Sequence, residues 1–225
     1  EVVAAARDLF ANTGYDEISL VSLSSTDHSQ IADIVRALRA EFGEGIGISL
    51  PSTRVDSFSV DVALACAGRS RHTMTFAPEA GSQRMRHAIN KLVSDQDLLD
   101  AARNAFENGW NGVKLYFMVG LPTETLDDVR GIVDWAAQVK AIGREVVGKR
   151  ARVRVSTSNH VPKAHAPFQW ARQDTPEELA PKHELLRAEC RRAGLDFTWN
   201  DPKESLLEGV LSRGDRRVAD VVVDA

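Results

Sequence analysis

Short β-prone runs recur along this chain, each followed by a polar turn and then by apolar residues at helical spacing. The runs are ISLVSL (18–23), GIGISL (45–50), TMTFA (73–77), VKLYFMV (113–119), RVRVSTS (152–158) and the short DFTW (196–199). Between them, apolar positions recur at i, i+3, i+4 and i+7, the period of a helix with one buried face. Ile31, Ile34, Val35 and Leu38 mark one such helix, and Val129, Ile132, Val133 and Ala136 another. Helix starts are signalled by Ser94 with Asp97, Thr125 with Asp128, Thr175-Pro176-Glu177-Glu178, and Ser205 with Glu208. Gly43, Gly109 and Gly194 stand where helices need a left-handed residue to end.

Strands that alternate with helices run parallel and are joined by helical crossovers. A closed or partly closed β/α barrel and an open doubly wound sheet both satisfy this pattern. The chain has neither a GxGxxG fingerprint nor a GxxxxGK[ST] loop, which lowers the weight of the nucleotide-binding open sheets. In either architecture ligands gather at the C-terminal ends of the strands, so the turns SSTDHS, PSTRVDS, PEAGS, GLPTET and NHVPKAH are the places to look.

Composition narrows the picture. The 225 residues, 43% of them hydrophobic, are enough for one large α/β domain or two small ones. A net charge of −4 argues against a generic nucleic-acid surface, although arginine gathers in 144–154 and 212–217. No apolar run approaches the ~20 residues that span a bilayer, so no membrane association is expected and the cytoplasm is the default compartment. The two cysteines, Cys66 and Cys190, are far apart in sequence and belong to no metal-ligand spacing. Cys190 falls in register with Leu179, His183 and Leu186 and reads as a core residue.

Within the turns, Gly120 lets backbone approach a ligand and Pro122 stiffens the exit. Glu79 follows a strand directly, where a carboxylate can accept from hydroxyls or an ammonium, and Ser82 caps the next helix. The planar fork of Arg54 suits a carboxylate. Phe168 and Trp170 are expected to anchor the proline-broken loop after the fifth run. No Ser-His-Asp or Cys-His arrangement and no hydrolytic carboxylate pair emerges.

Four stretches, TFAPEAGSQRMRHAINK (75–91), NGVKLYFMVGLPTETLDDV (111–129), HVPKAHAPFQW (160–170) and SLLEGVLSRGDRR (205–217), together resemble the radical S-adenosylmethionine (SAM) superfamily, in the branch often preceded by a B12-binding domain. The resemblance implies a partial (β/α)6 barrel of the radical SAM type. It implies a 4Fe-4S cluster on a C-x3-C-x2-C loop after the first strand, reductive cleavage of SAM to a 5′-deoxyadenosyl radical, and hydrogen abstraction from a substrate that the sequence does not name. A reductant such as flavodoxin or ferredoxin is the expected partner, and cobalamin would sit on a separate domain. By the same likeness Arg54, Glu79 and Ser82 would face the methionyl and ribose groups. The backbone of Val119, Gly120 and Leu121 would lie against adenine, with Asn159 and His160 nearby. The glycine-rich turn that the family carries after its second strand is not evident in LSSTDH.

This sequence departs from the family in having no cysteine triad. Matched element by element, it starts at the helix after the cluster loop, so the expectation is a barrel that lacks its first strand over 1–203, with a helical extension over 204–225. Taken alone it is expected to be inactive. The competing expectation is an inactive barrel that serves as a binding or scaffold module and touches RNA through 144–154.

Overall fold

The structure, a computed structural model, describes residues 1–22, 28–49 and 73–225. Arg54, Cys66 and most of the SSTDHS and PSTRVDS turns lie outside the described residues. In chain order the elements are α1 (Val2–Thr13), β1 (Glu17–Ser19), α2 (Ile31–Phe42), β2 (Gly47–Ser49), β3 (Met74–Glu79), α3 (Gln83–Ala88), α4 (Asp95–Glu107) and β4 (Gly112–Val119). They continue with α5 (Leu126–Val147), β5 (Arg152–Asn159), α6 (Pro176–Ala193), β6 (Asp196–Trp199), α7 (Pro202–Arg213) and α8 (Val218–Asp224).

β1 and β2 form a parallel pair, and the remaining strands form a sheet in the order β3-β4-β5-β6. β5 and β6 are parallel. The Arg152 amide donates to the Asn111 carbonyl at 2.9 Å and the His160 amide to the Val119 carbonyl at 2.8 Å. One offset satisfies both bonds, so β4 and β5 also run parallel and Val119 lies beside Asn159. A doubly wound sheet reverses its strand order at a switch point. Among the described residues the order β3-β4-β5-β6 does not reverse, which favours the partial-barrel alternative.

Chain contacts divide the molecule into two compact units. The first comprises Glu1–Pro78, Val93–Leu115 and Gln138–Val153, and the second comprises Glu79–Leu92, Tyr116–Ala137 and Arg154–Ala225. In the first, α1, α2 and β2 bury Ala6, Ile31, Val35, Leu38 and Ile48 together, with Phe10 and Phe42 edge to face at 4.9 Å. In the second, Ala80, Met85 and Leu121 form one cluster, and Val129, Ile132, Val133 and Ala136 are buried along α5 as their spacing predicts. α5 crosses Gly81 with its backbone, since a Cβ there would come within 2.3 Å of the Asp128 carbonyl and 2.4 Å of the Ile132 amide. The second unit holds the C-terminal ends of β3, β4 and β5, and with them every described candidate site residue.

The capping signals at Ser94, Thr125 and Thr175 are realised as reciprocal side-chain and backbone bonds. The signal at Ser205 is not. α7 begins at Pro202 under an Asp201 cap, and Ser205 lies inside the helix, buried and bonded to Asn159. Proline at the first helical position and an acidic cap outrank the later serine. Cys190 is buried with Leu179, His183 and Leu186, and burial pushes its thiol up to about 12, so it stays an unreactive core residue. No described helix is long and apolar enough to cross a membrane.

Candidate functional site at the ends of the parallel strands

β3 ends on Glu79, whose φ of 72° is left-handed although it carries a side chain. Such backbone persists only where its surroundings hold it, and it concentrates at functional positions. Burial raises the Glu79 carboxyl, while Lys91, with its ammonium 3.6 Å away, pulls the other way. About a third of the side chain reaches solvent, so the carboxylate is open to a ligand.

Ser82, three residues on, is differently placed. Its hydroxyl donates to Asp128 and accepts the Met85 amide at 3.2 Å. Asp128 also accepts from the Thr125 amide at 2.8 Å, the Thr125 hydroxyl at 2.7 Å and Arg84. Burial alone would raise the Asp128 carboxyl, but the bonds from Ser82, Thr125 and Arg84 outweigh it and bring it down to about 2. Arg84 further donates to the Thr123 carbonyl at 2.9 Å, which fastens the turn after β3 to the turn after β4. Ser82 therefore acts first as a helix cap and as a donor in this knot.

The turn after β4 is as fully engaged. Gly120 has a φ of 81° and Thr123, β-branched, a φ of 67°. The Gly120 amide donates to Glu124 Oε2 at 2.8 Å, the Leu121 carbonyl accepts the Glu124 amide at 3.0 Å, and the Val119 carbonyl accepts from His160. Lys182, on α6, donates to the same Glu124 oxygen at 2.6 Å and to Asp174 at 2.9 Å. Burial raises the Glu124 carboxyl, against the ammonium and the Gly120 amide, which lower it. Burial lowers Lys182, yet its two carboxylate partners raise it further, so the lysine stays charged. Glu124, Asp174 and Lys182 were not singled out in the sequence. Glu124 stands within GLPTET, next to the Thr125 helix start, while the lysine lies 58 residues further on.

The end of β5 is the exception. Asn159 is buried, and its amide nitrogen donates to the Ser205 hydroxyl at 2.8 Å and the Asn200 carbonyl at 3.1 Å, but its Oδ1 has no partner. His160 Nδ1 is likewise buried and unpartnered. Burial pushes the imidazole below its ordinary value, with Asp174 partly restoring it, so the ring is neutral near pH 7. Phe168 meets that ring edge on at 6.0 Å and does anchor its loop. Trp170 does not, because it is 85% exposed.

Among the described residues no three His, Cys, Asp or Glu side chains group as metal ligands. Two cysteines in the whole sequence cannot supply a three-cysteine cluster loop, so a 4Fe-4S cluster does not fit these 225 residues. Unpartnered buried polar atoms at the end of β5 and a partly exposed carboxylate at the end of β3 do fit the amino, hydroxyl and adenine edges of SAM.

The sequence model of the Radical SAM superfamily matches residues 1–136, more than half of the chain. The chain belongs to the radical SAM superfamily. Among curated relatives, an uncharacterized protein of Methanocaldococcus jannaschii is 28% identical over 204 residues, covering 91% of this chain and 43% of that protein. An uncharacterized methyltransferase of Pyrococcus horikoshii is 32% identical over 97 residues, 43% of this chain and 21% of that protein. The radical SAM chain thus spans less than half the length of the relatives it matches. Among solved structures, the radical SAM enzyme coproporphyrinogen III oxidase (HemN) of Escherichia coli superposes with a TM-score of 0.61 at 15% identity, over 86% of this chain and 44% of its own. That likeness is one of fold.

Proposed function

We propose that these residues are the cofactor-binding β/α core of a radical SAM enzyme, holding SAM along the C-terminal ends of β3, β4 and β5. The observation that carries the reading is the pair of buried polar atoms without partners, the acceptor Asn159 Oδ1 and the ring nitrogen His160 Nδ1, at a rim where the Val119 carbonyl and the Gly120 amide are already bonded. Burying a polar atom unbonded costs roughly 1–3 kcal/mol, a cost that a ligand with matching donors removes. The adenine amino group is such a donor, and Glu79 is suited to ribose hydroxyls or the methionyl ammonium. Ser82, Val119, Gly120 and Leu121 shape this floor; the Ser82 hydroxyl, the Val119 and Leu121 carbonyls and the Gly120 amide are already engaged. Arg54 keeps its assignment to the methionyl and ribose groups from the resemblance alone.

Reductive cleavage of SAM belongs in this reading to the whole protein, since the iron ligands are not among these residues. Taken alone, the chain is inactive in that step and binds SAM weakly. The substrate is unidentified, and the name of the Pyrococcus relative makes methyl transfer the reaction class to test first. A cobalamin domain, a flavodoxin- or ferredoxin-type reductant and a cytoplasmic setting complete the proposal.

The test is a titration of the chain with SAM, followed by NMR at the Asn159 side-chain amide and the His160 ring. Saturable shifts at both are expected, with the shift at the His160 ring lost in Asn159→Ala. Shifts spread over the surface, or none at millimolar SAM, would overturn the reading.

A further inference from the structure

Lys182 has no counterpart in the motifs that mark the strand ends, yet it is the cation around which the β4 turn is assembled. Its ammonium lies 2.6 Å from Glu124 Oε2 and 2.9 Å from Asp174 Oδ2. The Glu124 side chain is 3% exposed and that of Lys182 13%, so the pair is screened little by solvent. The oxygen that Lys182 holds is the one that accepts the Gly120 amide. From the other side, Asp174 Oδ2 stands 3.2 Å from where a Cβ on Gly120 would be, and Leu179 of α6 stands 3.3 Å from it. The left-handed Gly120 is therefore packed against α6 and tied to it through a single ammonium.

We propose that Lys182 is the positioning residue of the β4 turn: through Glu124 and Asp174 it fixes the Val119–Leu121 backbone at the height where a nucleoside would lie on it. The consequence for ligand rests on the cofactor-binding reading above; the fixing of the turn does not. Removing the ammonium leaves Glu124 buried without its counter-charge. The carboxyl then takes up a proton, and its hold on the Gly120 amide weakens.

The experiment compares the wild-type chain with Lys182→Met, Lys182→Arg and Glu124→Gln by amide hydrogen exchange and by the SAM titration. In Lys182→Met the Gly120 amide is expected to exchange at least tenfold faster, while the His160 amide and the buried strand amides of Phe117 and Val155 keep their protection. SAM affinity falls about tenfold in the same variant, and Lys182→Arg, which keeps the charge, recovers both. If Lys182→Met does not fold, Glu124→Gln replaces it, because it removes the same ion pair at nearly constant shape.

Unchanged Gly120 exchange in a folded variant sinks the inference. So does a loosened turn with unchanged SAM affinity, since the turn would then be fixed without serving the ligand. Should wild-type chain show no SAM shifts at Asn159 or His160, the cofactor reading fails by itself, and the exchange rate at Gly120 still decides what Lys182 does.

Discussion

The turns after β3 and β4 and the end of β5 draw on the same kinds of residue and differ in how completely their bonds are spent. Around Asp128, hydroxyls, an amide and an arginine converge on one carboxylate. Around Glu124, an amide and an ammonium share one oxygen. Along the end of β5 the opposite holds: Thr157 Oγ1, Asn159 Oδ1 and His160 Nδ1 are buried and unbonded. In the proposed reading the bonded turns set the shape of the rim, and the end of β5 together with Glu79 supplies its contacts to ligand. The GLPTET turn thus serves in that reading as scaffold, and the plainer NH after RVRVSTS as the ligand contact.

The sharpest break of that comparison is Gly81→Ala, in the closed part. The added methyl meets the backbone of α5 at two atoms within 2.5 Å, and a helix backbone cannot swing aside as a side chain can. We expect a loss of about 3 kcal/mol in urea unfolding. Gly14→Ala, at a left-handed φ of 72° with nothing within 4 Å, is the control in the first unit and should cost about 1 kcal/mol. Equal losses at the two glycines would mean that the crossing over Gly81 is not as tight as described.

Next in size is Asp128. Asp128→Ala strands the donors of Ser82, Thr125 and Arg84, and we expect a loss of about 2 kcal/mol at pH 7. The acid limb gives the independent check. Its carboxyl is depressed from 3.8 to about 2 on folding, so the stabilisation is complete above the ordinary carboxylate range and is lost as pH falls through about 2. Asp128→Asn should flatten that limb of the stability curve while leaving the slope above pH 5 unchanged. A wild-type slope that survives the substitution would assign the acid lability elsewhere.

How much of this was legible follows from the range of each interaction. The strands among the described residues could be read because β-prone runs bounded by turns are local signals; β3 exceeds its run by Pro78 and Glu79, while β1 keeps only Ile18 and Ser19 of its run. Caps at Ser94 and Thr175 were readable for the same reason. The left-handed Glu79 and Thr123 were not, because neither residue type advertises a positive φ. Nor was the knot at Gly120, whose ammonium comes from a helix far along the chain. Trp170 was read as an anchor from its size alone, and size does not say which way a loop residue faces.

A smaller effect separates the two parts of the rim by pH. Burial holds His160 below the ordinary histidine range, so its neutral form is favoured on folding. The linked stabilisation is present above that range and is lost as pH falls through the lowered value. SAM-induced shifts at Asn159 should accordingly be flat from pH 7 to 8 and fade only on acidification, in step with the His160 ring resonances. Titration of that ring at or above its ordinary value would show an imidazole less buried than the rim requires.

The smallest effect is the most discriminating in sign. Thr157 Oγ1 has no partner, and its residue pairs in register with Trp199, whose ring lies 6.0 Å from that of His183, itself carrying the unbonded Nε2. Thr157→Val keeps the shape and deletes the hydroxyl. At the closed rim such a deletion removes bonds and costs stability. Here it removes only the desolvation of an unbonded group, so stability should be unchanged or rise by up to about 1 kcal/mol. Unfolding at matched pH reads the sign directly. A loss of more than about 1 kcal/mol would mean that Thr157 holds an ordered water shared with His183, and the open character of β5 would then shrink to Asn159 and His160.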